Sequence, residues 1–428
     1  MADRDRIIKS VKGRQVFTMR NVLGIEATIE TEGGIAERAV CNSGISIGTH
    51  EVAFKYDGGA KWGGKGVQGA VHMVNTDVNE LLKGMDATDQ GAIDAAMIEA
   101  GGKTKWGGNA VAAVSAAALK AGAAALGIPL YRHIGGANAL RLPVPGVPAV
   151  VGENRWGGGV TTTGNKPSIS FMCYGFQSFA DASCAGWDIY QAWRTEMRNR
   201  RVPEGVDMFF DVIPGIFKSS DEEIFELMAR TIIKAGYDGK AGIQIDCAGD
   251  TYYDKDSSLY RGLFTTGPKS RDELMSYYKH LVKTYPFVVI EDPFHEDDYE
   301  SHAILTRETD IQIVGDDLFT TMKERVKKGS ELGAANAVLL KVNQVGSISE
   351  AMDMIRYAYG IGYGIMPCDS RGEGMTIADY CVGINAGSVR EVAIGKPAAN
   401  RFLEIEAELG SAVRFWGKHG LKGSRFQN

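Results

Sequence analysis

The second half of this chain repeats one pattern, in which a short apolar run is followed by a longer amphipathic segment. The amphipathic segments, such as SRDELMSYYKHLVKTY, have the apolar spacing of helices. Alternation of this kind is typical of strands joined by helices, so we predict repeated strand-helix units after about Val144. The clearest apolar runs are GIQID, FVVIED, IQIVGDD, AVLLKVN and GYGIMPCD.

The first 140 residues follow a different pattern. The segments VFTM, GIEATIETEGG and ERAVC predict a small antiparallel sheet, and the Ala-rich stretch NAVAAVSAAALKAGAAALG predicts closely packed helices. The two prolines of LPVP, at 142–145, stop the helical pattern and favour an extended link. A chain of 428 residues rarely forms one core, so we expect a small α+β domain at 1–140 and a larger α/β domain at 141–428.

Charge and cysteine usage exclude several classes of protein. The net charge is -6 and no basic stripe is present, which argues against nucleic-acid binding. The N-terminus MADRDRIIKS has no apolar signal core, and no uninterrupted apolar run has the length that a bilayer requires. The six cysteines form no CxxC pair. We therefore expect a cytoplasmic protein with reduced thiols and no membrane partner.

Four charged residues close or follow consecutive apolar runs: Asp246, Glu291, Asp316 and Lys341. In a barrel of parallel strands such positions meet at the carboxyl rim, so the four side chains are predicted to converge. Three carboxylates in one pocket repel each other unless a cation neutralises them, and an all-oxygen set suits Mg²⁺.

Lys341 is predicted to be the general base of this pocket. A neighbouring divalent cation favours the neutral amine, which can remove a proton from carbon while the metal stabilises the enediolate. Any one of the four residues, taken alone, is as well explained by a helix cap or a solvated loop charge. Capping does not explain the lysine, and four such residues in series favour a functional site.

A series of motifs resembles enolases over nearly the whole length of the chain. The motifs occur in the family's order, which makes the resemblance specific. They are SGISIG with Glu51, GGKGVQGAV, GNAVAAVSAAALKAGAAALGIPLYRHIGG, LPVPG, TGNK, IEDPFHEDDYE, IQIVGDDL, LLKVNQVGSISEA, TIADYCVGINAG and EIEAELG.

The resemblance implies a fold, a metal site and a mobile loop. The implied fold is an N-terminal α+β capping domain followed by a modified TIM (β/α)8 barrel with an unusual leading strand pair. Lys341 is implied as general base, the loop at 43–51 as a cover over the substrate, and Ser46 as the contact to a second Mg²⁺. A homodimer or higher homo-oligomer is also implied. The implied Mg²⁺ ligands are Asp246, Glu291 and Asp316.

The departures from the family pattern concentrate on the acid side of the active site. Thr162 stands where enolases have the active-site histidine, and Ser170 and Val212 stand where they have two glutamates. The residues that help to expel hydroxide are therefore replaced. Asp211, Asp369 or a group of the substrate remains as the candidate general acid.

The candidates for substrate binding also differ from the family pattern. The family sequence Ser-His-Arg-Ser-Gly-Glu is CDSRGE here, so Ser370 and Arg371 occur in swapped order. Arg371 can still fork onto a phosphate or carboxylate. Either Arg390 or Lys396 replaces the family's later substrate-binding lysine. The further candidates are His50, beside the 43–51 loop, and Thr162.

Three functions remain open at this point. The first is a magnesium-dependent lyase that eliminates from a phospho- or phosphono-substituted hydroxy acid rather than from plain 2-phosphoglycerate, because the base side is intact and the acid side is altered. The second is ordinary phosphopyruvate hydratase, and the third is a non-catalytic binding protein. Retention of the three carboxylates and of Lys341 argues against the third, because buried like charges need a partner.

Overall fold

The structure is a computed structural model, and it describes residues 3–18, 22–44, 47–151, 167–200, 211–212, 222–264 and 267–427. For three of the predicted site residues the structure gives little or no description. Ser46 and Thr162 lie outside the described residues, and Asp211 is described only as part of a short strand.

The N-terminal part begins with a three-stranded antiparallel sheet, as the alternating segments predict. Ile25, Ala27 and Ile29 alternate along the middle strand and are completely buried, because one face of the sheet packs against a helix. The strands are β1 (Ile8–Phe17), β2 (Leu23–Thr31) and β3 (Ala36–Asn42).

Helices cover this sheet, and the Ala-rich one lies at the centre of the domain. Its small side chains allow a close approach to β2 and β3, and it stops at Gly127, whose φ of 65° is left-handed. The helices of this part are α1 (Gln68–Met73), α2 (Asn79–Leu82), α3 (Gln90–Glu99), α4 (Gly102–Lys105), α5 (Gly108–Leu126) and α6 (Leu130–Gly135).

Helix α5 has 19 residues, and its most apolar window has a mean hydropathy of 1.4, so by length and composition it is the one described helix that meets the requirements for a membrane span. However, 78% of its apolar window is buried inside the protein, which is the environment of a core helix.

The rest of the chain forms a barrel, which confirms the predicted enolase-type fold. Eight strands follow one another around the ring in chain order, and the last of them returns to pair with the first. A bridge between Cys368 and Arg390 joins the ends of the last two strands. The ring strands are β5 (Val144–Val151), β6 (Ser168–Cys173), β8 (Ala241–Asp246), β11 (Phe287–Glu291), β12 (Gln312–Gly315), β13 (Ala337–Leu340), β14 (Gly364–Pro367) and β15 (Ser388–Val389).

Strand β6 runs antiparallel to both of its neighbours, whereas the other pairs in the ring are parallel. The unusual leading strand pair that the family resemblance implies is therefore present. Short pieces pair beside the ring: β4 (Arg141–Leu142) with β16 (Arg414–Phe415), β7 (Asp211–Val212) with β5, and β9 (Tyr253–Asp254) with β10 (Leu259–Tyr260).

Amphipathic helices surround the barrel and bury their apolar sides against it. Ser270 and Glu273 form a reciprocal capping box at the start of one of them, as the sequence SRDE favours. The helices are α7 (Phe179–Asn199), α8 (Glu223–Lys234), α9 (Arg271–Thr284), α10 (Tyr299–Glu308), α11 (Lys323–Leu332), α12 (Val342–Val345), α13 (Ile348–Gly360), α14 (Thr376–Gly383) and α15 (Pro397–Leu409).

The two parts of the chain meet through buried polar contacts. The Ser115 hydroxyl of α5 accepts the Ile348 N–H at 2.9 Å, and the Asp94 carboxylate accepts the Ser349 N–H at 2.9 Å. These bonds satisfy the free N–H groups at the start of α13. The N-terminal domain is thereby fixed over the barrel. The boundary between 140 and 141 stays a prediction, although it falls in the short link between α6 and β4.

Candidate active site

Four charged residues lie where parallel strands end, at one rim of the barrel. Asp246 and Glu291 are the last residues of β8 and β11 and are paired in register. Asp316 directly follows β12, and Lys341 directly follows β13. All four are buried, with at most 5% of each residue exposed. Parallel register therefore brings to one edge residues that are far apart in the sequence.

Arg390 joins two of these carboxylates. It follows β15, and its terminal nitrogens lie 2.8 Å from an Asp246 oxygen and 2.9 Å from a Glu291 oxygen. Its Nε lies 2.9 Å from Glu391, and it also donates to the Ser168 hydroxyl. A planar guanidinium can contact several oxygens at fixed angles, which makes Arg390 the bridge across this side of the barrel.

Lys341 and Asp316 form the other half of the cluster. The Lys341 ammonium donates to one Asp316 oxygen, and the Gln344 amide donates to the other at 2.8 Å. Burial would lower the pKa of Lys341, but the negative charge of Asp316 outweighs burial and raises that pKa above its ordinary value. Burial would likewise raise the pKa of Asp316, and Lys341 brings it below its ordinary value.

The lysine is therefore a protonated ion-pair partner in this structure. A cation beside Lys341 would favour the neutral amine that the sequence predicts, whereas Asp316 here has the opposite effect. Lys341 must lose this proton before it can act as a base.

Several residues that support the cluster were missed by the sequence argument. Asp292, with a φ of 43°, accepts the backbone N–H groups of Asp316 at 2.9 Å and Asp317 at 2.8 Å. Burial, reinforced by Asp317 and Asp316, raises the pKa of Asp292 well above its ordinary value. Gln344 also approaches Glu51, at 3.3 Å. The motifs IEDPF and LLKVNQ contain these residues, but their spacing alone does not show what they hold.

Arg371 is directed at the loop from the N-terminal domain. Its two terminal nitrogens donate to the two oxygens of Glu51 at 2.8 Å and 2.6 Å, and the residue is only 1% exposed. The geometry is the bidentate fork that the sequence predicted, with Glu51 as its acceptor. The assignment of Arg371 to substrate binding stays a prediction.

The same loop also docks on the segment after β11. Thr49 donates its N–H to Glu296 at 2.9 Å, and its hydroxyl donates to the same carboxylate. His50 Nε2 lies 3.0 Å from Asp297. Gly48 favours this close approach, because a Cβ there would lie 3.0 Å from the Thr320 methyl group, which is tighter than an ordinary contact. His50 is thus an anchor of the loop in this structure, and its role with substrate stays a prediction.

The two candidates for the family's substrate-binding lysine have different surroundings. Arg390 lies among the carboxylates, as described above, whereas Lys396 lies 4.0 Å from Asp369. Both members of this second pair are buried. Ser370 follows Asp369 and precedes Arg371 on the same rim segment. Of the two cations, Arg390 is the one that the barrel brings to the cluster.

The donor set of the cluster fits a hard divalent cation. Glu291, Asp292 and Asp316 each offer an oxygen, and these three atoms lie within 4.8 Å of one another. All three residues are buried. Asp246 lies beside them, because the Arg390 guanidinium contacts both Asp246 and Glu291. A compact set of buried carboxylate oxygens is the chemistry that Mg²⁺ takes in proteins, so the residues present fit the metal that the resemblance implies.

A barrel with a carboxylate cluster and one lysine at its carboxyl rim defines a class of lyase that removes a proton next to a carboxylate. Comparison with known proteins then gives the family. The profile described as "Enolase, N-terminal domain" matches residues 8–134, and the profile described as "Enolase, C-terminal TIM barrel domain" matches residues 140–424.

Similar proteins extend over almost the whole chain. A protein named Enolase from Methanocaldococcus jannaschii is 38% identical over 94% of this chain and 96% of its own length. The Enolase of Methanopyrus kandleri is 38% identical over 95% and 97%, and that of Bifidobacterium longum subsp. infantis is 36% identical over 98% of both chains. The chain belongs to the enolase family and is an enzyme of the hydro-lyase type.

Proposed function

We propose that this enzyme dehydrates 2-phosphoglycerate to phosphoenolpyruvate, with Lys341 as the base and Mg²⁺ as the cofactor. The convergence of Asp246, Glu291, Asp316 and Lys341 at one rim carries the proposal. The near full-length similarity to proteins named Enolase supports this substrate over the phosphono-substituted acid that the altered motifs first suggested.

Lys341 is placed to take a proton from a carbon that enters beside Asp316. It is fixed by its position after β13 and by the backbone N–H that it donates to the Thr321 hydroxyl at 3.0 Å. Its amine needs to be neutral before each turnover, because an ammonium has no lone pair for the proton. Bound Mg²⁺ would supply the positive charge that stabilises an enediolate at the substrate carboxylate.

The second half of the reaction needs an acid. The C–O bond to the leaving hydroxyl breaks as the enediolate electron pair forms the new double bond, and the leaving oxygen takes one proton to depart as water. Asp369, 4.0 Å from Lys396 on the rim, is a candidate donor, and Asp211 remains another. Lys396, the other member of this pair, can donate hydrogen bonds to an anionic group of the substrate.

The test is a direct assay with 2-phosphoglycerate and Mg²⁺, in which the absorbance of phosphoenolpyruvate is followed. The native enzyme should turn over, and Lys341→Ala should lose about 10²–10⁴-fold in kcat, which is the usual contribution of a positioned base. The matched control is Lys323→Ala, whose lysine pairs with Asp353 on the barrel exterior. No turnover by the native enzyme would contradict the proposed substrate.

A second substrate class is favoured by one observation. Arg371, which sequence comparison would assign to a phosphate, gives both terminal nitrogens to Glu51. A different anionic group could then be recognised by Arg390 or Lys396. The methylene phosphonate isostere of 2-phosphoglycerate separates the two classes: this second class requires a higher kcat/KM for the isostere, and the leading proposal requires the reverse.

The setting of the enzyme is part of the same proposal. We place it in the cytoplasm, because its scattered cysteines lack the pairing of an exported protein, and we propose a homodimer or higher homo-oligomer, as the family resemblance implies. Its partner in the reaction is a small phosphorylated carboxylate. Cell fractionation and sedimentation of the native protein test the location and the oligomeric state.

A further inference from the structure

A cavity of about 190 Å³ lies between the two domains, and we call it the junction cavity. Its walls come from β2, β3, α5, the start of α12 and the segment from Arg371 to Tyr380. None of the carboxylates of the active-site cluster lines it. The wall includes Arg38, Ala116, Lys120, Asn343 and Arg371.

Two buried polar atoms in this wall have no partner in the described part of the chain. They are Oδ1 of Asn343, an acceptor, and Nε of Arg371, a donor. Asn343 is 4% exposed and Arg371 is 1% exposed. A buried polar atom that is left without a hydrogen bond costs about 1–3 kcal/mol, so such atoms usually have a partner that protein contacts alone do not show.

The remaining donors of these two side chains are already in use. The Asn343 amide nitrogen donates to the Asn42 carbonyl at 2.8 Å, and the terminal nitrogens of Arg371 bind Glu51. Asn42 and Glu51 lie at the two ends of the active-site loop. A ligand in the junction cavity would therefore contact Asn343 and Arg371, the two side chains that hold the ends of this loop.

The charged groups in the wall give the cavity a positive character. Lys120 donates to the Arg38 carbonyl at 2.7 Å, and burial lowers the pKa of Lys120. Among the residues that the structure describes, neither Lys120 nor Arg38 has a carboxylate as an ion-pair partner. Glu26 is already paired with Arg14, at 2.6 Å.

Glu373 is the other carboxyl in the wall, and it is mostly protonated only below about pH 7. Burial, with the nearby Asp369, raises the pKa of Glu373 to about 7, and its oxygen accepts the Arg371 N–H at 2.8 Å. Below this pH, and among the residues that the structure describes, the cavity therefore offers two cations without an ion-pair partner, one free donor and one free acceptor. These groups match a small anion that also carries a hydroxyl.

We propose that the junction cavity binds a small 2-hydroxycarboxylate, whose carboxylate faces Lys120 and Arg371 Nε and whose hydroxyl donates to Asn343 Oδ1. A cavity of roughly 150 Å³ holds a six-carbon ring, so the volume suits a ligand of about that size. A carboxylate gains charge-assisted bonds from the two cations, which neutral water does not. The site is separate from the metal cluster and does not depend on the proposed reaction.

Calorimetric titration of the full-length enzyme with lactate tests the site, with lactamide as the uncharged analogue and propionate as the analogue without hydroxyl. Lactate should bind equally with and without Mg²⁺, which separates this site from the metal cluster. Lactamide should bind about 10-fold or more weakly, because it loses the charge-assisted bonds, and propionate about 3- to 10-fold more weakly, because it loses only the bond to the neutral Asn343 amide oxygen.

Two pairs of variants locate the binding. Lys120→Gln should lower the affinity for lactate by about 10-fold or more. Ala116→Leu should abolish lactate binding, because the larger side chain fills the cavity. The matched controls are Lys83→Gln, on the surface, and Ala124→Leu, on α5 but outside the cavity; both should bind as the native enzyme does. The proposal is overturned if lactate does not bind, or if lactamide binds as tightly as lactate. It is also overturned if both cavity variants bind lactate with native affinity while their thermal unfolding is native.

Discussion

At the scale of single residues, the active site is a set of buried charges that hold each other. Arg390 contacts Asp246, Glu291 and Glu391 at 2.8–2.9 Å, and the Lys341–Asp316 pair lies across the same cluster. Buried ion pairs contribute little net stability, but removal of one partner leaves the other charge buried and unpaired. The folded state therefore depends strongly on each member.

Arg390→Gln should lower the free energy of unfolding by about 3–5 kcal/mol, because two or more buried carboxylates lose their partner. Arg390→Lys keeps the positive charge but not the planar guanidinium, so it should lower the free energy of unfolding by a smaller amount. Urea denaturation measures both, with Arg356→Gln, an exposed pair on α13, as the control expected within about 0.5 kcal/mol of native. Equal losses for Arg390→Gln and the control would refute the bridging role.

Glu373 provides a pH-dependent prediction, because the pKa of Glu373 is raised from 4.5 to about 7 in the folded enzyme. Between these two pH values the folded state keeps a proton that the unfolded chain has released, so this group makes stability fall as pH rises from about 4.5 to 7. Glu373→Gln removes the effect and keeps the oxygen that accepts the Arg371 N–H.

The variant should therefore gain stability relative to the native enzyme as pH rises through this window, on the order of 1–3 kcal/mol by pH 8. Denaturation curves at pH 5 and pH 8 measure the difference, with the exposed Glu331→Gln as control. A constant difference at both pH values would show that Glu373 does not titrate in this way.

At the scale of elements, the loop that follows β3 is joined to the barrel at several points. Glu51 binds Arg371, Thr49 binds Glu296 and His50 binds Asp297. The first of these contacts is buried and bidentate, whereas His50 and Asp297 are partly exposed. A buried, charge-assisted fork contributes more than an exposed pair, so Arg371 is the main anchor of the loop.

Glu51→Gln should loosen residues 47–51, because a neutral amide cannot hold both terminal nitrogens of Arg371. We expect faster amide hydrogen exchange in this loop and a higher KM with the fold retained. Arg371→Lys should act in the same direction through loss of the fork. The control is Glu32→Gln, which removes an exposed pair with Arg4. Unchanged exchange at 47–51 in both variants would contradict the anchor.

At the scale of the whole molecule, closure of the barrel links distant segments through one cluster. The cluster draws side chains from the ends of β8, β11, β12, β13 and β15, so a ligand that binds there contacts a large share of the ring. Any ligand that binds only the folded state stabilises the complete fold.

Mg²⁺ should therefore raise the Tm of the native enzyme, with a stabilisation of about 2.7 kcal/mol when its concentration is 100 times the Kd. Asp316→Asn should remove most of this increase, whereas Asp310→Asn, at an exposed pair with Arg425, should keep it. Thermal unfolding with and without MgCl₂ measures the effect. An equal increase in both variants would show that the metal binds elsewhere.

The order of strands and helices was predictable because it depends on local sequence. Five of the eight ring strands, β8 and β11 to β14, are short apolar runs that the sequence shows directly, and the helices that follow them repeat their apolar residues at the helical period. The same locality shows which charged residue ends or follows which strand, so Asp246, Glu291, Asp316 and Lys341 are identifiable from the sequence.

The sequence by itself determined this alternation, the family and the residues at the ends of the strands. Only the tertiary structure decided that Arg390, rather than Lys396, lies among the carboxylates, that Arg371 turns its fork to Glu51, and that a polar cavity lies between the domains. The physical reason is that periodicity acts over a few residues, whereas these contacts join segments up to 320 residues apart and exist only after the barrel closes and the N-terminal domain docks on it.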